Sequence, residues 1–420
     1  MKLSQHSEIL MKGFIDKFSS LSINKTAFQQ RQMDNIFKIL FNDIKQADTF
    51  VKNMKLLGKI KSNIIEHKGG NEIPLTDLFN SHFVSQPIRE YVLKSFKGYL
   101  IFEADILDHH IKIYFALLNS NDLLKSSKFE KLMYYAFMWL YMATLYAPSN
   151  CAKDLNIFCF LTPFKKMLPK NQLEILSPEH CNSAVTTSCT KEGEICIYRE
   201  EEFLKVLIHE SFHIFGLDFS NLPTSKLNKS IKKVFPITSE MNLFEAYSET
   251  WSSLLNALLC SYSFMEKEDT IKDFLLYADI CVQCEQIFSL FQCIKVLDFM
   301  GINYQNLYER DQISYHIRKY LYKEKTNVFS YYIIRSILMF NLYKFLHWCK
   351  KNNKDLYVFH KSMSTMYSFG DFIKCHYRKN VFLKKLEDLT KFKQTIEAKQ
   401  VYPTNQFLVD TLRMSVCEMK

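Results

Sequence analysis

His209-Glu210-Ser211-Phe212-His213 sets two imidazoles four residues apart, with a carboxylate beside the first. On a helix, residues at i and i+4 stand one above the other, so both rings can turn a nitrogen toward one cation. Glu210, next to that cation, is free to handle a proton, which is the chemistry of metal-assisted hydrolysis. Two histidines and a glutamate are costly to bury in a run as apolar as FLKVLIHESFHIFGLDF. A metal with a bound water would compensate them.

The elements that must position this chemistry are helices. Phe203, Leu204, Leu207, Ile208, Phe212 and Phe215 supply the buried surface of the first. Glu200, Glu201 and Glu202 are expected in its first turn, where acids favour the dipole, and Gly216 is placed to end it. A catalytic zinc holds three protein ligands and leaves one position to water. A metzincin-like continuation puts its third histidine at Phe219, and Asp218 falls one residue early, so that route lacks a ligand. The run MNLFEAYSETWSSLLNALL at 241–259 has helical periodicity and carries Glu245 and Glu249 at i,i+4 among apolar residues. Like charges at that spacing repel unless a cation and a histidine N–H receive them. Glu245 is therefore assigned to the metal, and Glu249 to orienting His209 through its other ring nitrogen.

Phe244-Glu245-Ala246-Tyr247-Ser248-Glu249 resembles the Asn-Glu-x-x-Ser-Asp segment of thermolysin-type gluzincins, with Phe for Asn and Glu for the final Asp. His209-Glu210-x-x-His213 resembles the first half of that signature. The wider run, from CNSAVTTSC through the histidine helix to FEAYSETWSSLLNAL, is similar to uncharacterised metallopeptidase-like proteins of large cytoplasmic DNA viruses; the likeness covers roughly residues 150 to 260. The resemblance implies a zincin-like zinc peptidase acting on a peptide or protein. In it one Zn2+ is held by His209, His213 and Glu245, Glu210 is the general base, and Glu249 stands behind His209. Gluzincins also draw a transition-state donor from a downstream Tyr or His. Here Tyr331, Tyr332, His316 and His347 are candidates, and Tyr331-Tyr332 is preferred because FSYYIIRSIL places a helix after a flexible stretch. The competing reading is a catalytically silent zincin-shaped scaffold or nucleic-acid-binding protein, virion-associated, in which the site is only structural.

With 420 residues, 48% hydrophobic and 23% charged, the chain is long enough for a substantial core in two or three domains. Nine Gly and nine Pro mean few tight turns, so helices should dominate. The formal charge of +10 is spread along the chain, and a solvated lysine-rich surface accounts for it more simply than nucleic acid or an anionic membrane does. Of twelve cysteines, Cys281 and Cys284 form a CxxC inside a helix-like run near Cys293. They read as buried free thiols, because no fourth ligand stands at a recognisable spacing. With no secretory signal visible, a reducing, cytoplasmic location is expected. The uncharged stretch Leu132 to Ala147 is shorter than the roughly 20 residues of a span and is expected to be a buried helix.

Along the chain, residues 1–67 read as helical and Lys68-Gly69-Gly70-Asn71-Glu72-Ile73-Pro74 as a linker. YLIFEADILDHHIKIYFAL at 99–117 predicts a hairpin turning near Leu107-Asp108, with His109 and His110 as surface residues at the turn. A helix over 121–146, strands at 155–162, 182–187 and 194–198, the histidine helix, the irregular connector 217–238 and the glutamate helix follow. The strand at 182–187 is a candidate sheet edge able to hold an extended peptide. The expected fold is α+β and mostly helical: an N-terminal helical segment (1–70), a zincin-like catalytic domain with a small mixed sheet (75–262), and a C-terminal helical domain (263–420).

Overall fold

The computed structural model describes residues 3–15, 17–67, 75–119, 122, 126–398 and 403–419. It is α+β and mostly helical, with one six-stranded mixed sheet. The chain divides into two compact units: Ile39–Lys165 with Asn182–Leu217, and Met1–Lys38 with Lys166–Cys181 and Asp218–Lys420.

The first unit is built on the sheet. Its strands are β1 (Lys61–Glu66), β2 (Gly98–Ile106), β3 (His109–Leu117), β4 (Asp154–Thr162), β5 (Ala184–Thr186) and β6 (Glu192–Arg199), in the order β1-β2-β3-β4-β6-β5. β2 and β3 form the expected hairpin through Leu107 and Asp108, with Ile106 opposite His109. β4 lies parallel to both β3 and β6, whereas β5 runs antiparallel to β6 at the edge. Side chains alternate across a strand, so both faces can be covered. Tyr99, Ile101, Phe160 and Tyr198 pack with Ile88 and Val92 of the helix Gln86–Ser95. Phe115 turns the other way, its ring 5.2 Å from Phe129 and 6.0 Å from Phe203.

Two expectations for this unit are corrected, and a disulfide is added. Lys61–Glu66 is a strand and not part of a helical segment: β2 offers a free edge, and the ladder from Lys61↔Glu103 to Glu66↔Gly98 outweighs local helical pattern. His109 is buried and His110 half-buried, because successive residues of β3 face opposite sides and His109 turns onto Phe215, ring to ring 5.8 Å. Burial pushes the His109 imidazole below the usual histidine range, and the neighbouring Lys153 cation adds to this. Cys151 and Cys189 form a disulfide, joining the segment before β4 to the β5–β6 connection. The residues of the expected linker, Lys68 to Pro74, lie outside the described residues.

The second unit is helical. The glutamate helix Leu243–Phe264 packs along Ile271–Phe299, whose start is fixed by a capping box between Thr270 and Asp273. Ile271–Phe299 is long and apolar enough to cross a membrane by length and composition, yet most of it is buried inside the fold. Cys281, Cys284 and Cys293 sit on it as free, buried thiols, as their spacing implied. A π-helical turn, Phe329–Ile334, runs into the helix Arg335–Phe340.

Candidate metal centre

The histidine helix spans Phe203–Ile214, and all of its residues are buried. Its start differs from expectation: Glu202 is the N-cap, in the left-handed region at φ 60°, and no acid lies in the first turn. Its end is as expected, with Gly216 at φ 63°, a conformation open to glycine without strain. The helix lies on β6 and β5, and Phe212 stacks on Trp139 of the helix Ser126–Thr144 with rings 6.0 Å apart and 9° from parallel. Gly193 of β6 allows the close approach, since a Cβ there would meet Ile214 Cδ1 at 2.7 Å.

One turn of this helix separates His209 and His213, and their Nε2 atoms lie 3.2 Å apart with ring planes at 83°. Two nitrogens about 2.0–2.1 Å from a tetrahedral zinc stand about 3.3 Å from one another, so the spacing fits two ligands of one ion. Glu210 is buried with them, 9% exposed.

Glu245 lies in the first turn of the glutamate helix, where a carboxylate is favoured by the dipole. Asn327 Nδ2 donates to its Oε1 at 3.2 Å, and Asn242 Nδ2 donates to Asn327 Oδ1 at 2.9 Å, fixing which way the Asn327 amide points. One ligand atom from each of His209, His213 and Glu245 falls within 4.8 Å of the others, a group that could hold one metal ion. Two imidazole nitrogens and a carboxylate oxygen are a donor set that suits zinc and leaves a fourth position for water.

Glu249, one turn beyond Glu245, is 1% exposed. Arg335 Nε stands 4.0 Å from its Oε1, and Arg335 also faces Glu285 at 3.6 Å and donates to Ser253 Oγ at 2.9 Å. The Tyr332 hydroxyl donates to the Leu412 carbonyl at 2.8 Å, and Tyr331 is buried in the π-helical turn. His316 and His347 are exposed.

Sequence reasoning missed Asn327, which is 82 residues from the carboxylate it holds, and Arg335. It also missed the part played by Asp218. This carboxylate accepts hydrogen bonds from Ser220 N and Oγ, and from Ser248 Oγ at 3.2 Å, which ties the connector to the glutamate helix three residues past Glu245. No local signal marks Asn327 or Arg335, whereas Asp218 could have been found as a buried acid followed by a serine two residues on. No family model, no curated protein and no solved structure matches the chain.

Proposed function

We propose that the chain is a zinc-dependent peptidase that hydrolyses peptide bonds with Glu210 as general base. The observation that carries this reading is the donor set His209, His213 and Glu245, with the buried Glu210 carboxylate adjacent in sequence to the first ligand. A zinc ion at such a site supplies Lewis-acid activation of water at neutral pH. Glu210 accepts the proton of the attacking water and returns it to the leaving amine, a cycle that requires no other titratable group. The Asn242–Asn327 pair orients the Glu245 carboxylate before any ion arrives, which lowers the cost of assembling the ligand set.

The sheet edge supports a peptide as substrate. β5 is hydrogen-bonded to β6 on one side only among the described strands, and the histidine helix packs against both. An extended peptide added to the open side of β5 gains main-chain hydrogen bonds beside the metal helix.

The test is digestion of a peptide library by the purified protein, by Glu210→Gln and by a chelated control. Cleavage by the wild type alone, with zinc retained in Glu210→Gln, is the expected result. Cleavage that survives in Glu210→Gln rules the reading out, and so does full zinc occupancy in Glu245→Ala.

A further inference from the structure

We infer that the helical unit binds a small phosphate ester in a basic cavity formed by the loop at residues 22–25 and the starts of three helices. The cavity measures ≈ 490 Å³ and is lined by Lys25, Lys344, Lys384 and Lys385 against a single carboxylate, Asp388. Pockets for small organic ligands run from about 300 to 1,000 Å³, so a sugar phosphate or mononucleotide fits the space.

The lysines are not equivalent. Lys25 is paired with Asp279, and the Lys385 ammonium donates to the carbonyls of Ser20 at 2.8 Å and Ser22 at 3.3 Å. Those two are already used in holding the wall. Lys344 and Lys384 have no carboxylate within ion-pair distance among the described residues, although they open on the same hollow. Burial holds the Lys385 ammonium below its ordinary range, and Lys384 pushes it the same way against the opposing pull of Asp388. Like charges gathered in a concavity repel one another, and an anion placed among them relieves that repulsion.

The backbone adds to the field. Gln29, Tyr343 and Val381 line the same cavity, each from the first turn of its helix: Ala27–Leu56, Leu342–Asn352 and Asn380–Ala398. Positive dipole ends from three helices therefore border one hollow and favour an anion there, against the single negative end that Phe340 brings from Arg335–Phe340. Gln286 also lines the cavity, its side chain held by the bond from Nε2 to the Met339 carbonyl at 2.7 Å. The hollow is larger than a phosphate group fills, and the sugar of a phosphate ester occupies the remainder where inorganic phosphate leaves it empty.

The test is calorimetric titration of the full chain, at low salt, with ribose 5-phosphate, adenosine monophosphate, adenosine and inorganic phosphate. Saturable 1:1 binding of the two esters is expected, with adenosine silent and inorganic phosphate at least tenfold weaker. The double variant Lys344→Gln, Lys384→Gln should weaken ester binding at least tenfold. These side chains are exposed, so the fold should survive, which circular dichroism checks. His209→Ala should leave ester binding within twofold, separating this cavity from the histidine site whether or not the peptidase reading holds. Absence of ester binding, equal affinity for inorganic phosphate, unchanged affinity in the lysine variant, or loss in His209→Ala each overturns the inference. Phosphatidylserine vesicles and a single-stranded oligonucleotide are run in parallel. Capture of either through the same lysines, without ester binding, also overturns it.

Discussion

Asn327 donates to the Glu245 carboxylate at 3.2 Å while its own carbonyl is taken by Asn242, so a neutral side chain 82 residues away holds one oxygen of Glu245 in place. Partners that orient a metal ligand cost about 10- to 100-fold in metal affinity when removed. Asn327→Ala should therefore weaken zinc binding by about that factor, read by competition with a chelating dye, with little change in the melting temperature of the metal-free protein. Unchanged affinity would mean that the helix alone orients Glu245.

Gly193 of β6 lies close against the histidine helix. An alanine Cβ would meet Ile214 Cδ1 at 2.7 Å and Cγ1 at 2.9 Å. Gly193→Ala should destabilise the fold by about 1–3 kcal/mol, as overpacking of a filled core does. The check is denaturant unfolding, and Ile214→Val in the same chain should restore part of the loss.

The Cys151–Cys189 disulfide closes a loop across a sequence separation of 38. In the chain-entropy account a crosslink of that span stabilises by about 4 kcal/mol. Cys151→Ser with Cys189→Ser should lower stability by that order, and a reducing agent should do the same to the wild type. Equal unfolding midpoints with and without reductant would show that the crosslink adds nothing.

Glu324 gives a pH dependence. Burial raises its carboxyl from the ordinary range to about 7, opposed by hydrogen bonds from Phe329 N at 2.9 Å and the Tyr322 hydroxyl at 3.0 Å. An acid whose folded value lies above its unfolded one contributes stability that is complete below the unfolded value and is lost as pH rises through the folded value. The contribution of Glu324 should thus be full below about pH 4.5 and decline until pH passes 7. Glu324→Gln should flatten the fall in melting temperature between pH 5 and 8. If the two proteins keep parallel profiles, Glu324 is not the group that titrates.

What could be read from the sequence was what short-range spacing encodes. The i,i+4 histidines, the αL glycine at 216, the hairpin through Leu107-Asp108 and the glutamate helix all follow from residues close together in the chain. The strand Lys61–Glu66 was not legible, because its six residues are exposed and only its pairing with β2 makes it a strand. The inward turn of His109 depends on Phe215, far along the chain, and the Asn327–Glu245 bond depends on a contact of comparable span. Arg335 shows the same limit, since the fold brings it within 4.0 Å of Glu249 from far along the chain.

β1 is one of the two edge strands among the described residues, and it carries Ile64 and Ile65 at 47% and 48% exposure between Lys61 at one end and Glu66 at the other. Its far rim presents peptide groups to solvent with two oily side chains beside them, the arrangement that lets a neighbouring chain zip on. Because the two end charges are opposite, a copy docking head to tail would match them, while one docking head to head would set like against like. Self-association at high concentration is what such a rim favours, and it would arise from six residues that take no part in the chemistry of the histidines.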